Sequence, residues 1–265
     1  MHIDFYKYQG AGNDFVIIDD RSCSFDRDNN TLVKLLCDRK FGVGADGLML
    51  LRPSEKYDFE MVYYNADGYE GSMCGNGGRC IVAFAYEQGI VEQTCKFIAV
   101  DGEHVASIIQ HDFQQWVSLQ MIDVSTIEQG PEFCYLDTGS PHYVQVVKNL
   151  QEYDVVENGR SIRNNERFKN EGTNVNFIEL SGEDVLSIRT YERGVEDETL
   201  ACGTGVTAAV LSVHATGKSN ANEIKVKALG GDLKVTFKVQ GGNYTDVFLQ
   251  GPAELVFKGV VDVEV

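Results

Sequence analysis

Two short stretches of the chain combine a cysteine with glycines in a way that could do proton-transfer chemistry. They are Cys74-Gly75-Asn76-Gly77 and, 128 positions later, Cys202-Gly203-Thr204-Gly205. Each runs into an apolar helical stretch, so each cysteine is expected at a helix N-terminus, where unpaired N–H groups and the positive dipole end favour a thiolate. A thiol there should ionise below its usual pKa of about 8.5. Glycine keeps side-chain bulk away from the same N–H groups, which can then hold a carboxylate. Two like acid–base groups on opposite faces of one carbon are what stereoinversion needs: one removes the α-hydrogen and the other returns a proton. The carboxylate gains enolate-like charge in the transition state, where fixed N–H dipoles stabilise it most. Such a reaction needs no cofactor, and none is expected. Two open alternatives are a non-catalytic binder of small anions, and simple burial of the two cysteines as small hydrophobes. The second reading is preferred for Cys23, Cys37, Cys95 and Cys134, which have no glycine-rich turn beside them.

The elements that must position these turns repeat along the chain. Gly10-Ala11-Gly12-Asn13-Asp14-Phe15-Val16 is echoed by Gly139-Ser140-Pro141-His142-Tyr143-Val144-Gln145. The helical stretches after the two cysteine turns stop at Gly89 and Gly217, the residue expected just past a last helical turn. Short alternating strands split by tight turns favour antiparallel pairing. The reading is an α/β fold of α+β type: two pseudo-symmetric domains, each a mostly antiparallel sheet wrapped around a central helix. The active site is expected in the cleft between them. The first domain is expected over residues 1–120 with a returning strand in 252–265, and the second over 121–251. Gly42-Val43-Gly44-Ala45-Asp46-Gly47 spells a dinucleotide-binding fingerprint, but it follows a helical stretch, Leu32 to Arg39, and leads into a strand, the reverse of what that motif requires.

Composition narrows the function classes. With 23 Lys plus Arg against 40 Asp plus Glu, the net charge of −17 repels nucleic-acid backbones and anionic membranes. No C-x-x-C pair or H-E-x-x-H spacing points to a metal. An odd seven cysteines in 265 residues do not suggest a disulfide framework. The opening residues Met1 to Gly10 lack a basic and then apolar leader, which reads as a soluble cytoplasmic protein.

Over its full length the chain resembles diaminopimelate epimerases. The resemblance rests on Lys7 to Val16, Tyr64-Asn65-Ala66-Asp67-Gly68, Met73-Cys74-Gly75-Asn76-Gly77-Gly78-Arg79-Cys80, and Tyr191-Glu192-Arg193-Gly194 leading to Ala201-Cys202-Gly203-Thr204-Gly205. It implies cofactor-independent interconversion of LL- and meso-diaminopimelate, in lysine and peptidoglycan precursor synthesis, with Cys74 and Cys202 as the acid–base pair. It further implies that Asn13, Asn65, Asn174 and Arg193 hold the distal amino and carboxylate groups, joined by Glu192. Gly75, Asn76, Gly203 and Thr204 would bind the reacting carboxylate, while His142 and Glu192 tune the thiols. A homodimer is the assembly the resemblance implies. Two positions depart from the family pattern: Gly47 stands where Gln is common, and Ser140 where Asn precedes Pro-His. The nearest alternative within the fold is a proline or hydroxyproline epimerase. A compact cyclic imino acid would leave Arg193 and the three amides unmatched, at roughly 1–3 kcal/mol for each buried group.

Overall fold

Two residues held in left-handed backbone, Ala11 at φ 52° and Gly12 at φ 83°, close the first hairpin, between β1 (His2–Gly10) and β2 (Asn13–Asp19). Positive φ at both central residues is what a two-residue hairpin matching the strand twist demands. The computed structural model describes residues 2–111 and 114–263. From β2 the chain crosses through α1 (Asn30–Cys37) to β3 (Gly47–Arg52), parallel to β2, and β4 (Phe59–Asn65) returns antiparallel. A second crossover, α2 (Gly75–Glu87), leads to β5 (Thr94–Ala99), parallel to β4. The antiparallel strands β6 (Gly102–His111) and β7 (Gln114–Gln120) follow.

The same sequence of moves is made again. After the two-residue strand β8 (Glu128–Gln129) come β9 (Phe133–Asp137) and its antiparallel partner β10 (Pro141–Val146). Helix α3 (Val155–Arg163) crosses to β11 (Asn174–Leu180), parallel to β10, and β12 (Val185–Glu192) returns antiparallel with the short β13 (Asp197–Thr199) beside it. Helix α4 (Gly203–Ala215) then crosses to β14 (Glu223–Ala228), parallel to β12. The antiparallel β15 (Gly231–Gln240) and β16 (Asn243–Pro252) complete the second sheet. The last strand, β17 (Glu254–Asp262), pairs antiparallel with β1, as the expected return to the first sheet; positions 264 and 265 lie outside the described residues. Two compact units result, one of residues 1–119 with 252–265 and one of 120–251.

Each sheet is covered on both faces. Val16, Ile18, Leu48 and Leu50 pack with Leu32, Val33 and Leu36 of α1, while Met49 and Met61, one position out of phase, approach Gly77 of α2. In the second unit Val175, Phe177 and Tyr191 pack with Val155 of α3. Helices α2 and α4 are buried nearly all round, which is why apolar residues in their sequences are not confined to one stripe. Both end alike. Gly89 and Gly217, each at φ 66°, donate to the carbonyls of Tyr86 and His214, and the next residues, Ile90 and Lys218, donate to Ala85 and Val213. This left-handed glycine cap satisfies the last carbonyls.

The α/β reading, two similar sheets each around a central helix, is what the fold shows, with two differences in detail. Each sheet is mostly antiparallel, as expected, but the two parallel pairs in each, made by helical crossovers, were not located from the sequence. Strand β3 is buried along nearly its whole length and reads as an unbroken apolar run, whereas β5 and β14 alternate buried and exposed positions as antiparallel strands do, so neither pattern marks a parallel neighbour. Helix α3, polar and only partly buried, was not anticipated because nine residues carry little periodic signal. Among the described residues, no helix is long and apolar enough to cross a membrane.

Candidate active site

Cys74 and Cys202 occupy equivalent places, each the N-cap of the buried helix of its unit, with extended backbone and a side chain that makes no capping bond. The intrahelical ladders start at the bond from Gly78 N–H to the Cys74 carbonyl, 2.7 Å, and from Val206 N–H to the Cys202 carbonyl, 2.9 Å. The N–H groups of the first turn therefore point outward from each helix end, beside the sulfur. Cys74 is half-buried and Cys202 is 9% exposed.

In the first unit, Asn13 opens β2 next to Cys74. Its Nδ2 donates to Asp46 Oδ2 at 2.6 Å. A carboxylate can only accept, so the amide oxygen is the atom turned to Cys74 Sγ at 3.6 Å and to Asn76 Nδ2 at 3.4 Å. Asp46 is itself held by Arg39 at 2.7 Å, and Arg39 also binds Asp14 at 2.6 Å. Burial pushes the Asp14 carboxyl up, but hydrogen bonds from Arg39 and Lys7 outweigh it and hold it well below the usual range. Behind Cys74 lies Arg79, fully buried inside α2, donating to the Gly75 carbonyl at 3.2 Å and to Asn76 Oδ1 at 3.0 Å. Desolvation lowers the Arg79 pKa, opposed by the sulfurs of Cys80 and Cys74. Asn65 lies opposite Gly47 in the β3–β4 pair. It ends β4, is exposed, and its backbone closes the turn to Gly68 and Tyr69.

The second unit gathers more of the expected residues. His142, fully buried on β10, has Nε2 at 2.9 Å from Thr204 Oγ1 and 3.0 Å from Ser140 Oγ, and Thr204 Oγ1 lies 3.4 Å from Cys202 Sγ. Burial, with the Arg193 charge adding to it, pushes the His142 pKa down to about 3, so the ring is neutral at ordinary pH. Asn174 Nδ2 donates to Ser140 at 3.0 Å, and Asn174 Oδ1 accepts the Arg193 backbone N–H at 2.8 Å. The Arg193 guanidinium, on the exposed turn after β12, donates to the Glu171 carbonyl, and Glu192 accepts a 2.8 Å bond from the Thr199 hydroxyl.

The positions Gly47 and Ser140, singled out by the resemblance, have different settings. A Cβ on Gly47 would lie 2.5 Å from the Tyr63 ring and 2.6 Å from the Tyr64 carbonyl oxygen, so Tyr63 fills the space a glutamine would need. Ser140 keeps one bond each to Asn174 and His142. Several residues of this neighbourhood were not read from the sequence, notably Asn176, Thr190, Asp46 and Arg79. For Asn176 and Arg79 the signal is polar type at an apolar position: Asn174-Val175-Asn176 alternates within a buried strand, and Arg79 interrupts an apolar helix. Of the cysteines expected to be buried fillers, Cys37, Cys95 and Cys134 are buried, with the first two pushed up to about 12 by desolvation. Cys23 is exposed instead, in a turn at φ 54° that places it outside the core.

The comparisons with known proteins agree with this repeat. The sequence model of the diaminopimelate epimerase family matches residues 5–127 and again residues 134–256. A diaminopimelate epimerase of Flavobacterium psychrophilum is 48% identical over 256 residues, covering 97% of this chain and 99% of that one. One of Chlorobaculum tepidum is 44% identical over 260 residues, covering 95% and 98%. Among solved structures, a Bacillus anthracis phenazine biosynthesis protein of the PhzF family superposes with TM-score 0.78 at 17% identity, over 99% of this chain and all of that one. A hydroxyproline epimerase of Agrobacterium vitis superposes with TM-score 0.73 at 14% identity, over 98% and 92%. At such identities these two share the fold alone. The two-fold match of the family model and the near full-length relatives place the chain in the diaminopimelate epimerase family.

Proposed function

We propose that the protein epimerises LL-2,6-diaminopimelate to meso-diaminopimelate without a cofactor, in lysine and peptidoglycan precursor synthesis, with Cys74 and Cys202 as the acid–base pair. The observation that carries this is the placement of both sulfurs at N-caps of glycine-opened buried helices, within a chain of this family. One sulfur, as thiolate, removes the α-hydrogen; the other, as thiol, delivers a proton to the opposite face, and the roles exchange in the reverse direction. The N–H groups around Gly75, Asn76, Gly203 and Thr204 stabilise charge growing on the carboxylate. Asn13, Asn65, Asn174, Glu192 and Arg193 would bind the distal amino-acid end, amides offering donor and acceptor together and the guanidinium a fork for a carboxylate. His142 and Glu192 would tune the thiols.

Proton NMR in deuterated buffer tests the reading. Reduced protein should replace the α-hydrogen of LL-diaminopimelate with deuterium and build up the meso isomer, and Cys74→Ser and Cys202→Ser should each lower that rate by about 10²-fold or more. No exchange by folded, reduced protein would remove diaminopimelate as substrate and turn attention to cyclic imino acids. Ligand binding unchanged in both serine variants, with no exchange in the wild type, would favour an anion binder.

We also infer that the domains 1–120 with 252–265 and 121–251 act as two epimerase repeats contributing one base each, and that the enzyme works in the cytoplasm, where seven free cysteines stay reduced. A homodimer is supported by β17, whose Val256 and Val260 are 56% and 50% exposed. Light scattering should report a dimer that Val256→Glu with Val260→Glu converts to monomer.

A further inference from the structure

His142 is a buried, neutral imidazole, and what it can do for Cys202 depends on which ring nitrogen carries its proton. The surrounding hydrogen bonds settle that point through a residue with no part in the site as read so far. Asn176, fully buried on β11, has Nδ2 at 3.0 Å from the Tyr143 carbonyl oxygen and 3.1 Å from His142 Nδ1, and its Oδ1 accepts from the Thr190 hydroxyl at 2.9 Å. A carbonyl only accepts, so the nitrogen end of the amide must face Tyr143, and its second N–H then points at His142 Nδ1. Nδ1 is an acceptor, and the ring proton sits on Nε2. From there it is donated to Thr204 Oγ1 at 2.9 Å, shared with Ser140 Oγ at 3.0 Å. The Thr204 oxygen having accepted, its own hydrogen faces Ser140 Oγ and Cys202 Sγ, each at 3.4 Å; Ser140 already accepts from Asn174 Nδ2 and the His142 ring, which leaves the sulfur as the acceptor. Every donor in the series points towards the sulfur.

Packing fits the arrangement to this helix end. A Cβ on Gly205 would lie 2.4 Å from Asn176 Oδ1 and 3.3 Å from His142 Cε1, so glycine in the first turn of α4 is what lets both side chains close on it.

We propose that Asn176, fixed by Thr190 and the Tyr143 carbonyl, is a positioning residue that locks His142 in its Nε2–H tautomer, so that Thr204 presents a hydroxyl hydrogen to Cys202 and favours its thiolate. This deepens the epimerase reading and rests on it only for its kinetic consequence. In other words, a neutral imidazole acts here as an oriented donor rather than as a base.

The tautomer is measurable directly. In protein labelled with nitrogen-15 at its five histidines, long-range proton–nitrogen spectra assigned with His142→Gln should show His142 with a protonated Nε2 and bare Nδ1 from pH 5 to 9. An Nδ1–H ring or an imidazolium in that range overturns the proposal. Asn176→Asp, whose carboxylate can only accept, should reverse the tautomer and turn the Thr204 hydroxyl towards the ring. The thiolate absorbance assigned to Cys202, by difference from Cys202→Ser, should then titrate at higher pH, with kcat reduced about tenfold and KM held within about threefold. To separate the added charge from the lost donor, Thr204→Val should shift the thiolate in the same sense, and Thr204→Ser should restore it. A thiolate midpoint unmoved in Asn176→Asp and Thr204→Val, whatever their thermal stability, makes the role structural and overturns the proposal. If the wild type holds the expected tautomer and thiolate but exchanges no substrate hydrogen, the epimerase reading fails and the relay stands. Epimerisation with the proton on Nδ1 sinks the relay alone.

Discussion

The two cysteines hold equivalent positions yet have different neighbours. At Cys74 a buried guanidinium, Arg79, lies behind the sulfur and an amide oxygen of Asn13 faces it. The second helix has Thr207 at the position matching Arg79, and its sulfur is faced by a hydroxyl backed by neutral His142. A charge in one repeat is answered by oriented dipoles in the other. Burial of His142 has a cost that pH exposes. Its folded pKa of about 3 lies below the unfolded value of about 6.5, so between these values the unfolded chain binds the extra proton and stability falls as pH falls. For one such group the loss between pH 7 and pH 5 is about 2 kcal/mol. Urea unfolding at the two pH values should show that part of the slope disappearing in His142→Gln; an unchanged slope would mean the ring takes up its proton as readily in the folded protein as in the unfolded chain.

The helices carrying the cysteines depend on glycine at both ends, for unlike reasons. At the C-terminal ends Gly89 and Gly217 are left-handed with nothing within 4 Å of an added Cβ, so alanine there meets backbone strain alone, about 1 kcal/mol. At the N-terminal end of α4 the backbone of Gly205 is ordinary but the space is taken by Asn176 and His142. Gly205→Ala should therefore destabilise by about 1–3 kcal/mol and displace the residues around Cys202. Denaturant melts compare the stabilities, and histidine nitrogen spectra should change for Gly205→Ala while staying as in the wild type for Gly217→Ala.

For the protein as a whole, a reaction needing one sulfur ionised while the other is protonated gives a bell-shaped dependence of kcat/KM on pH. Burial holds the Cys37 and Cys95 thiols at about 12, far from either limb, so the limbs should belong to Cys74 and Cys202. A profile flat on one side, with the protein folded throughout, would remove the two-thiol mechanism. Much of this was legible in the sequence. The repeat, the helix stops at Gly89 and Gly217, and the cysteines at helix starts follow from local rules, because glycine placement and apolar runs constrain the backbone within a few residues. Parallel pairing in each sheet was not legible, since β5 and β14 alternate as antiparallel strands do and β3, buried along its length, does not alternate at all. Nor was Asn176. Its importance arises from a carbonyl and an imidazole on the strand to one side of it and a hydroxyl on the strand to the other, brought to hydrogen-bond distance by the pairing of β10, β11 and β12. Residue types and spacing thus determined which groups could do the chemistry, whereas the direction in which each hydrogen bond points was decided by the tertiary structure, because donors and acceptors far apart in the chain orient one another only once buried together.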